Sequence, residues 1–197
     1  MAIGSSLTAT TQSIEETRAL AGSVAALAQP GDLILLSGDL GAGKTAFVQG
    51  FGWALGVEQP ITSPTFILAQ RYEGVQDDRE LVIHHLDVYR LDQLGEFHDL
   101  GVGELLDEDG VVMIEWGDAV VPALPGDYMT DHLDIRLTFG EGADERDLAL
   151  QPVGARWLAR REQLAKAIDP WLRANGDRDS APSGDDPQDP RAGGQPC

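Results

Sequence analysis

The chain has 197 residues, with 14 Lys+Arg against 33 Asp+Glu and a formal net charge of −19. That length suits one domain with a real core, and 42% apolar with 24% charged residues is the composition of a soluble globular protein rather than a wholly disordered chain. Such acidity argues against tight, unaided binding to nucleic acid or an anionic membrane. The longest aliphatic runs, at 33–36 and 111–114, fall far short of the roughly 20 residues that a bilayer span needs. No basic residue precedes Arg18, so a secretory n-region is not expected. The single cysteine, Cys197, excludes an intrachain disulfide framework and a multi-cysteine zinc site. The expected location is the cytoplasm.

In chain order, Ser13-Ile14-Glu15-Glu16 fits the S-x-x-E capping box, and Ile14, Leu20, Val24 and Leu27 continue one helical face. Pro30-Gly31-Asp32 breaks that helix, and 33–36 reads as a buried strand. A glycine-rich turn leads to a helix from about Lys44 to Leu55, closed by Gly56. Strands are predicted at 66–72 and 81–86, separated by the polar stretch 73–80, and helical pieces over 91–106, interrupted at Gly101 and Gly103. A further buried strand is predicted at 111–115. The alternation of 133–139, a Gly/Asp-rich turn and 147–150 predict a hairpin, and 155–168 a closing helix. From about Ala174 the apolar content collapses into a Pro/Gly/Asp-rich run that cannot bury enough surface to offset chain entropy. Residues 1–173 are therefore read as one domain and 174–197 as a disordered acidic tail. The tail's five Asp and two Arg account for little of the total charge.

Gly38-Asp39-Leu40-Gly41-Ala42-Gly43-Lys44-Thr45 matches G-x-x-x-x-G-K-T between a predicted strand and a predicted helix, the context that gives the motif meaning. Backbone N–H groups of such a loop wrap a phosphate chain, and the helix N-terminus adds positive potential. Lys44 can reach the β/γ-phosphates, and the Thr45 hydroxyl is a hard oxygen ligand for Mg²⁺. The chain has only two lysines, Lys44 and Lys166, and the first falls at the required position. Chance matches to the motif are expected at on the order of 0.002 per chain, so the loop is read as nucleotide-binding. The fold class that follows is α/β: a P-loop NTPase-type central sheet flanked by helices, with an antiparallel hairpin near the C-terminus.

A P-loop also needs acids at neighbouring strand ends. Asp87 follows 81–86 and Glu115 follows 111–114. Either carboxylate can bind Mg²⁺ directly or through water, and the other can orient the attacking water. Ser63-Pro64-Thr65 lies where P-loop switches place a γ-phosphate sensor; from these residues alone an ordinary turn is preferred. His84 and His85 should face opposite sides of a strand and are read as structural. Trp116 is read as core or as a stacking surface, and Arg156, Arg160 and Arg161 as a solvated helix face. A small-molecule kinase could use the same loop, with 156–161 imitating a lid. A guanine-nucleotide switch is disfavoured, because N-K-x-D is absent and the sole asparagine is Asn175.

GDLGAGKT at 38–45, SPTF at 63–66, HLDVYRL at 85–91 and IEWGD at 114–118 together resemble the TsaE (YjeE) family, from about Glu15 through Leu150. Pro30-Gly31-Asp32, Leu124-Pro125, and Glu96, Leu100 and Gly101 extend the likeness. The resemblance implies a bacterial P-loop ATPase that takes part in forming N6-threonylcarbamoyladenosine at position 37 of tRNA. Such a protein is not itself the carbamoyl transferase. It implies partners of the TsaD and TsaB type, with tRNA met only through them, and the cofactors ATP and Mg²⁺. By the same resemblance Gly38, Asp39, Leu40, Gly41, Ala42, Gly43, Lys44 and Thr45 hold ATP, and Thr45 with Glu115 ligates Mg²⁺. Asp87 is then the Walker B-like acid, Thr65 the switch residue, and Trp116 a neighbour of nucleotide and partner. The segment 15–17 sits at the adenine end, and Arg146 corresponds to an arginine of the late hairpin, although Glu141-Gly142-Ala143 departs from the more basic run expected there.

Overall fold

The computed structural model describes residues 5–64, 69–89, 104–105, 110–124 and 130–173. The predicted helical pieces over 91–106 fall almost wholly outside these residues, as do Thr65, Pro125 and the tail.

Among the described residues seven strands form one sheet, in the order β1-β7-β6-β2-β5-β4-β3. The strands are β1 Leu7–Thr11, β2 Asp32–Ser37, β3 Ala69–Gln76, β4 Arg79–Asp87, β5 Gly110–Glu115, β6 His132–Phe139 and β7 Arg146–Val153. The centre, β6-β2-β5-β4, is parallel, and antiparallel pairs close both edges. Every residue of β2 and β5 is buried, as expected of parallel strands covered on both faces, whose sequences then read as continuous apolar runs. One face packs against helices α1 (Ile14–Ala25) and α2 (Lys44–Ala54), with Leu20, Phe47, Phe51, Ile34 and Met113 in the same core. The other carries a smaller core of Leu33, Leu35, Val112 and Ile114, next to 3₁₀ turns at Gly117–Ala119 and Val121–Ala123. The mixed sheet, its flanking helices and the late hairpin agree with the predicted fold class. No helix among the described residues is long and apolar enough to cross a membrane.

Helix α1 begins as its sequence requires. Ser13 Oγ accepts from Glu16 N–H at 3.2 Å, while Glu16 reaches back to Gln12 N–H at 2.8 Å, so two otherwise orphaned donors are satisfied. The helix lies very close to α2: a Cβ on Gly50 would stand 2.2 Å from the Arg18 carbonyl oxygen. Only glycine permits that approach, which carries the start of α1 to the flank of the glycine-rich loop.

Three expectations change. Strand β3 extends through the polar stretch to Gln76, and its hairpin turns on Asp77-Asp78, both left-handed (φ 50° and 61°). The strand is polar because it is an edge: Tyr72 and Gly74 point inward while Arg71, Glu73 and Val75 are exposed. Strand β1 was not foreseen, since Leu-Thr-Ala-Thr-Thr carries little apolar signal. The closing helix is two short helices, α3 (Gly154–Ala159) and α4 (Arg161–Ala167), joined at Arg160.

That junction overturns the solvated-face reading for Arg160, while Arg156 stays exposed and Arg161 partly exposed. Arg160 is buried and makes a bidentate pair with Asp32 at the start of β2, 2.7 Å at both nitrogens. A third bond, also 2.7 Å, goes to the Leu27 carbonyl. Arg156 donates to the carbonyls of Gly31 and Pro30, and Arg161 to Ser5. The three arginines tie the last helices to the end of the sheet where β2 begins. Arg160→Ala leaves the buried Asp32 with only the Gln29 N–H at 2.8 Å and the more distant Arg156 at 3.6 Å. A full loss of partner costs about 3–5 kcal/mol, and these remaining contacts place the cost at or below the lower end. The expected result is a sharply lowered denaturant midpoint, with ATP affinity of the folded fraction retained.

Candidate functional site

The loop Gly38–Thr45 leaves the C-terminal end of β2 and opens α2, at the strand ends where open α/β sheets bind ligands. Its path depends on glycine. Gly38 has φ +129°, and a Cβ there would lie 2.0 Å from the Leu137 carbonyl oxygen of β6. Gly41 and Gly43 also have positive φ, and Gly43 caps α2 without a side chain. The first-turn N–H groups of α2 lack intrahelical partners and sit beside the loop.

Lys44 is buried. Its Nζ donates to the Gly38 and Asp39 carbonyls at 2.7 and 2.9 Å and lies 3.6 Å from the centroid of the Trp116 ring, a cation–π distance. Burial pushes its pKa down from the ordinary lysine value, and the carboxylates of Glu115, Asp87, Asp118 and Asp39 act in the opposite direction. Trp116 is itself left-handed, φ +63°, and this turn at the end of β5 sets its ring over Lys44. Tyr89 packs on the outer side, with ring centroids 4.7 Å apart. Trp116 is partly exposed and also packs against the smaller core, so it combines its two sequence readings.

Strands β4 and β5 are parallel and in register, so Asp87 and Glu115 stand side by side, both buried. Thr45 donates its hydroxyl hydrogen to Glu115 Oε1 at 2.8 Å. Asp87 does not share that contact. It accepts from the Ser63 hydroxyl and from the Tyr89 N–H at 3.0 Å. The structure thus separates two carboxylates that strand position alone left interchangeable: Glu115 belongs to the loop threonine, and Asp87 to Ser63, in the segment before Thr65. Thr65 itself lies outside the described residues.

A cleft of about 530 Å³ has Lys44, Thr45, Asp87, Glu115 and Trp116 in its walls. On the other flank of the loop a second cleft, about 350 Å³, is lined by Ser13, Glu15, Thr17, Gly41 and Arg146 among others. Arg146 lies over the Phe139 ring, 4.7 Å from its centroid. These positions bring 15–17 and Arg146 together beside the loop, although they are far apart in sequence. A larger hollow of about 770 Å³ lies at the opposite end of the sheet, beside Arg160, away from these groups.

Sequence reasoning missed three contributors. His85, read as structural, has its Nε2 2.9 Å from Glu115 Oε1. Ser63 holds Asp87, and Tyr89 backs Trp116. The signal for His85 was present, since it stands two residues before Asp87 and therefore on the same sheet face.

A central parallel sheet, a G-x-x-x-x-G-K-T loop between strand and helix, and an acid hydrogen-bonded to the loop threonine define a P-loop NTPase fold. Comparison with known proteins narrows this. Residues 11–148 match the family model for the threonylcarbamoyl adenosine biosynthesis protein TsaE, and the chain belongs to that family. It is 39% identical over 152 residues to the tRNA threonylcarbamoyladenosine biosynthesis protein TsaE of Bacillus subtilis, covering 77% of this chain and 89% of that protein. The protein of the same name from Streptomyces coelicolor is 41% identical over 142 residues, covering 71% and 93%. The crystal structure of YdiB from Bacillus subtilis superposes with a TM-score of 0.68 at 34% identity, over 84% of this chain and 97% of that one.

Proposed function

We propose that this chain binds and hydrolyses Mg-ATP as an accessory to N6-threonylcarbamoyladenosine formation at position 37 of tRNA, acting on a TsaD–TsaB complex. The observation that carries the ATPase part is the Thr45–Glu115 hydrogen bond at 2.8 Å. It joins the loop hydroxyl to an acid on the strand beside the loop strand, the pairing a Mg²⁺-dependent phosphate site requires. The pathway part is supported by family membership and by the names its relatives carry.

The residues fit the implied metal. Thr45 and Glu115 offer hard oxygen donors of the kind Mg²⁺ takes, and nitrogen or sulfur ligands are not needed. When bound, Mg²⁺ supplies charge neutralisation at the phosphate oxygens. The protein's own groups do the rest. The loop N–H groups and Lys44 hold the phosphate chain, and Asp87, fixed by Ser63 and the Tyr89 N–H, orients the attacking water. The second cleft takes the base, between 13–17 and Arg146. The kinase alternative loses its support, because Arg156, Arg160 and Arg161 are engaged at the far end of the sheet and form no lid over the loop.

The net charge of −19 suits a component that acts on proteins holding tRNA rather than on tRNA itself. The decisive experiment is depletion of this protein followed by mass analysis of tRNA nucleosides. Loss of threonylcarbamoyladenosine is the expected result, and an unchanged level overturns the pathway assignment. Phosphate release measured with and without TsaD and TsaB proteins then tests the partner: it should rise when both are present.

A further inference from the structure

His85 is fully buried in β4, on the sheet face that carries Asp87 and Glu115. Its Nε2 approaches Glu115 Oε1 at 2.9 Å, the same oxygen that accepts the Thr45 hydroxyl hydrogen. The Tyr72 ring flanks the imidazole, with centroids 6.5 Å apart. The other ring nitrogen, Nδ1, is buried and has no hydrogen-bond partner among the described residues. A carboxylate only accepts, so the hydrogen that faces Glu115 resides on Nε2.

This is a costly way to fill a core position. A buried polar atom without a partner is penalised, and an apolar side chain of similar size would avoid the penalty. What the imidazole supplies, and an apolar ring cannot, is a donor aimed at Glu115. We propose that His85 is a positioning residue for the metal-binding carboxylate. Its Nε2–H, with the Thr45 hydroxyl, fixes Oε1, so that Oε2 is the oxygen left for the metal or its water. The proposal rests on the reading of this cleft as a Mg-ATP site, and deepens it. Hydrogen-bond partners that orient metal ligands commonly change metal affinity or activity by about 10–100-fold when removed.

The test is calorimetric titration of the full chain with a non-hydrolysable ATP analogue, in EDTA and across a Mg²⁺ series. The wild type should bind more tightly as Mg²⁺ rises; if it does not, both the Mg-ATP reading and the role of His85 fall. Given that gain, His85→Leu should raise the half-saturating Mg²⁺ concentration by about 10–100-fold, while affinity in EDTA moves less than about threefold. His85→Gln, whose side-chain amide can still donate to Glu115, should restore most of the wild-type value. In a Glu115→Gln background His85→Leu should add nothing, because the group it orients is already changed. An unchanged Mg²⁺ requirement in His85→Leu overturns the proposal, as does a failure of His85→Gln to restore it or a further rise in the Glu115→Gln background. If His85→Leu does not fold, His85→Asn replaces it: the shorter amide must raise the requirement where Gln does not, and equal behaviour of the two overturns the role.

Discussion

Lys44→Ala is expected to weaken ATP binding about 100-fold, or about 3 kcal/mol, in calorimetric titration. The ammonium is buried, and burial already pushes its pKa down, so the charge is held at a cost in the free protein. Two of its hydrogens are spent on the Gly38 and Asp39 carbonyls, and the Trp116 ring covers it. Phosphate oxygens compete for the same hydrogens, because they carry full negative charge and attract the ammonium by Coulomb force as well as accepting its hydrogens, whereas a carbonyl offers only a dipole. Alanine removes that interaction together with the two carbonyl bonds and the Trp116 contact of the free protein. Because removing the buried ammonium also removes its desolvation cost, the thermal midpoint should change little. Lys44→Arg should not rescue binding, since a planar fork cannot take the place of a compact ammonium between two carbonyls and a ring. Unchanged affinity in Lys44→Ala would remove the basis for reading this loop as a phosphate cradle.

The same residues show where sequence reading succeeds and where it stops. The loop, β2, β5 and the late hairpin were legible because each is set by local chemistry. Glycines take positive φ, doubly covered strands are continuous apolar runs, and a half-exposed hairpin alternates. Asp87 and Glu115 were legible as acids after such runs. Their division of labour came only with the family resemblance and not from the residues themselves, because it depends on Thr45 meeting Glu115 across 70 residues and on Ser63 meeting Asp87 across 24. Arg160 was misread for a similar reason. A basic residue on a short helix looks solvated until Asp32, 128 residues away, is found beneath it. Strand β3 was truncated because an edge strand needs only one apolar face, and a polar outer face resembles a loop when read along the chain. His85 was undervalued because adjacent histidines on a strand cannot share a metal, a correct inference that says nothing of what one of them does for a neighbouring carboxylate.

The division of labour predicts different failures for the two acids. Asp87→Asn and Glu115→Gln should each lower phosphate release by about 100–1,000-fold, the range seen when one preorganised electrostatic group is lost from an active site, while ATP binding persists. Asp87 touches Ser63 and the Tyr89 N–H and does not contact Thr45, so Asp87→Asn should leave the Mg²⁺ concentration needed for half-maximal binding unchanged. Glu115 shares its oxygen with Thr45, so Glu115→Gln should raise that concentration as well as slow turnover. The double variant should be little worse than either single one, because groups that act in one transition state are not additive. Asp87 and Glu115 are neighbours across one strand pair, so loss of either charge also changes the field at Lys44. A modest change in ATP affinity, of the same sign in both variants, is expected on that ground and does not separate them. The Mg²⁺ dependence does. If both variants shift it equally, the acids act as one metal site and the assignment of Asp87 to the water is wrong; if both retain full turnover, neither carboxylate serves hydrolysis.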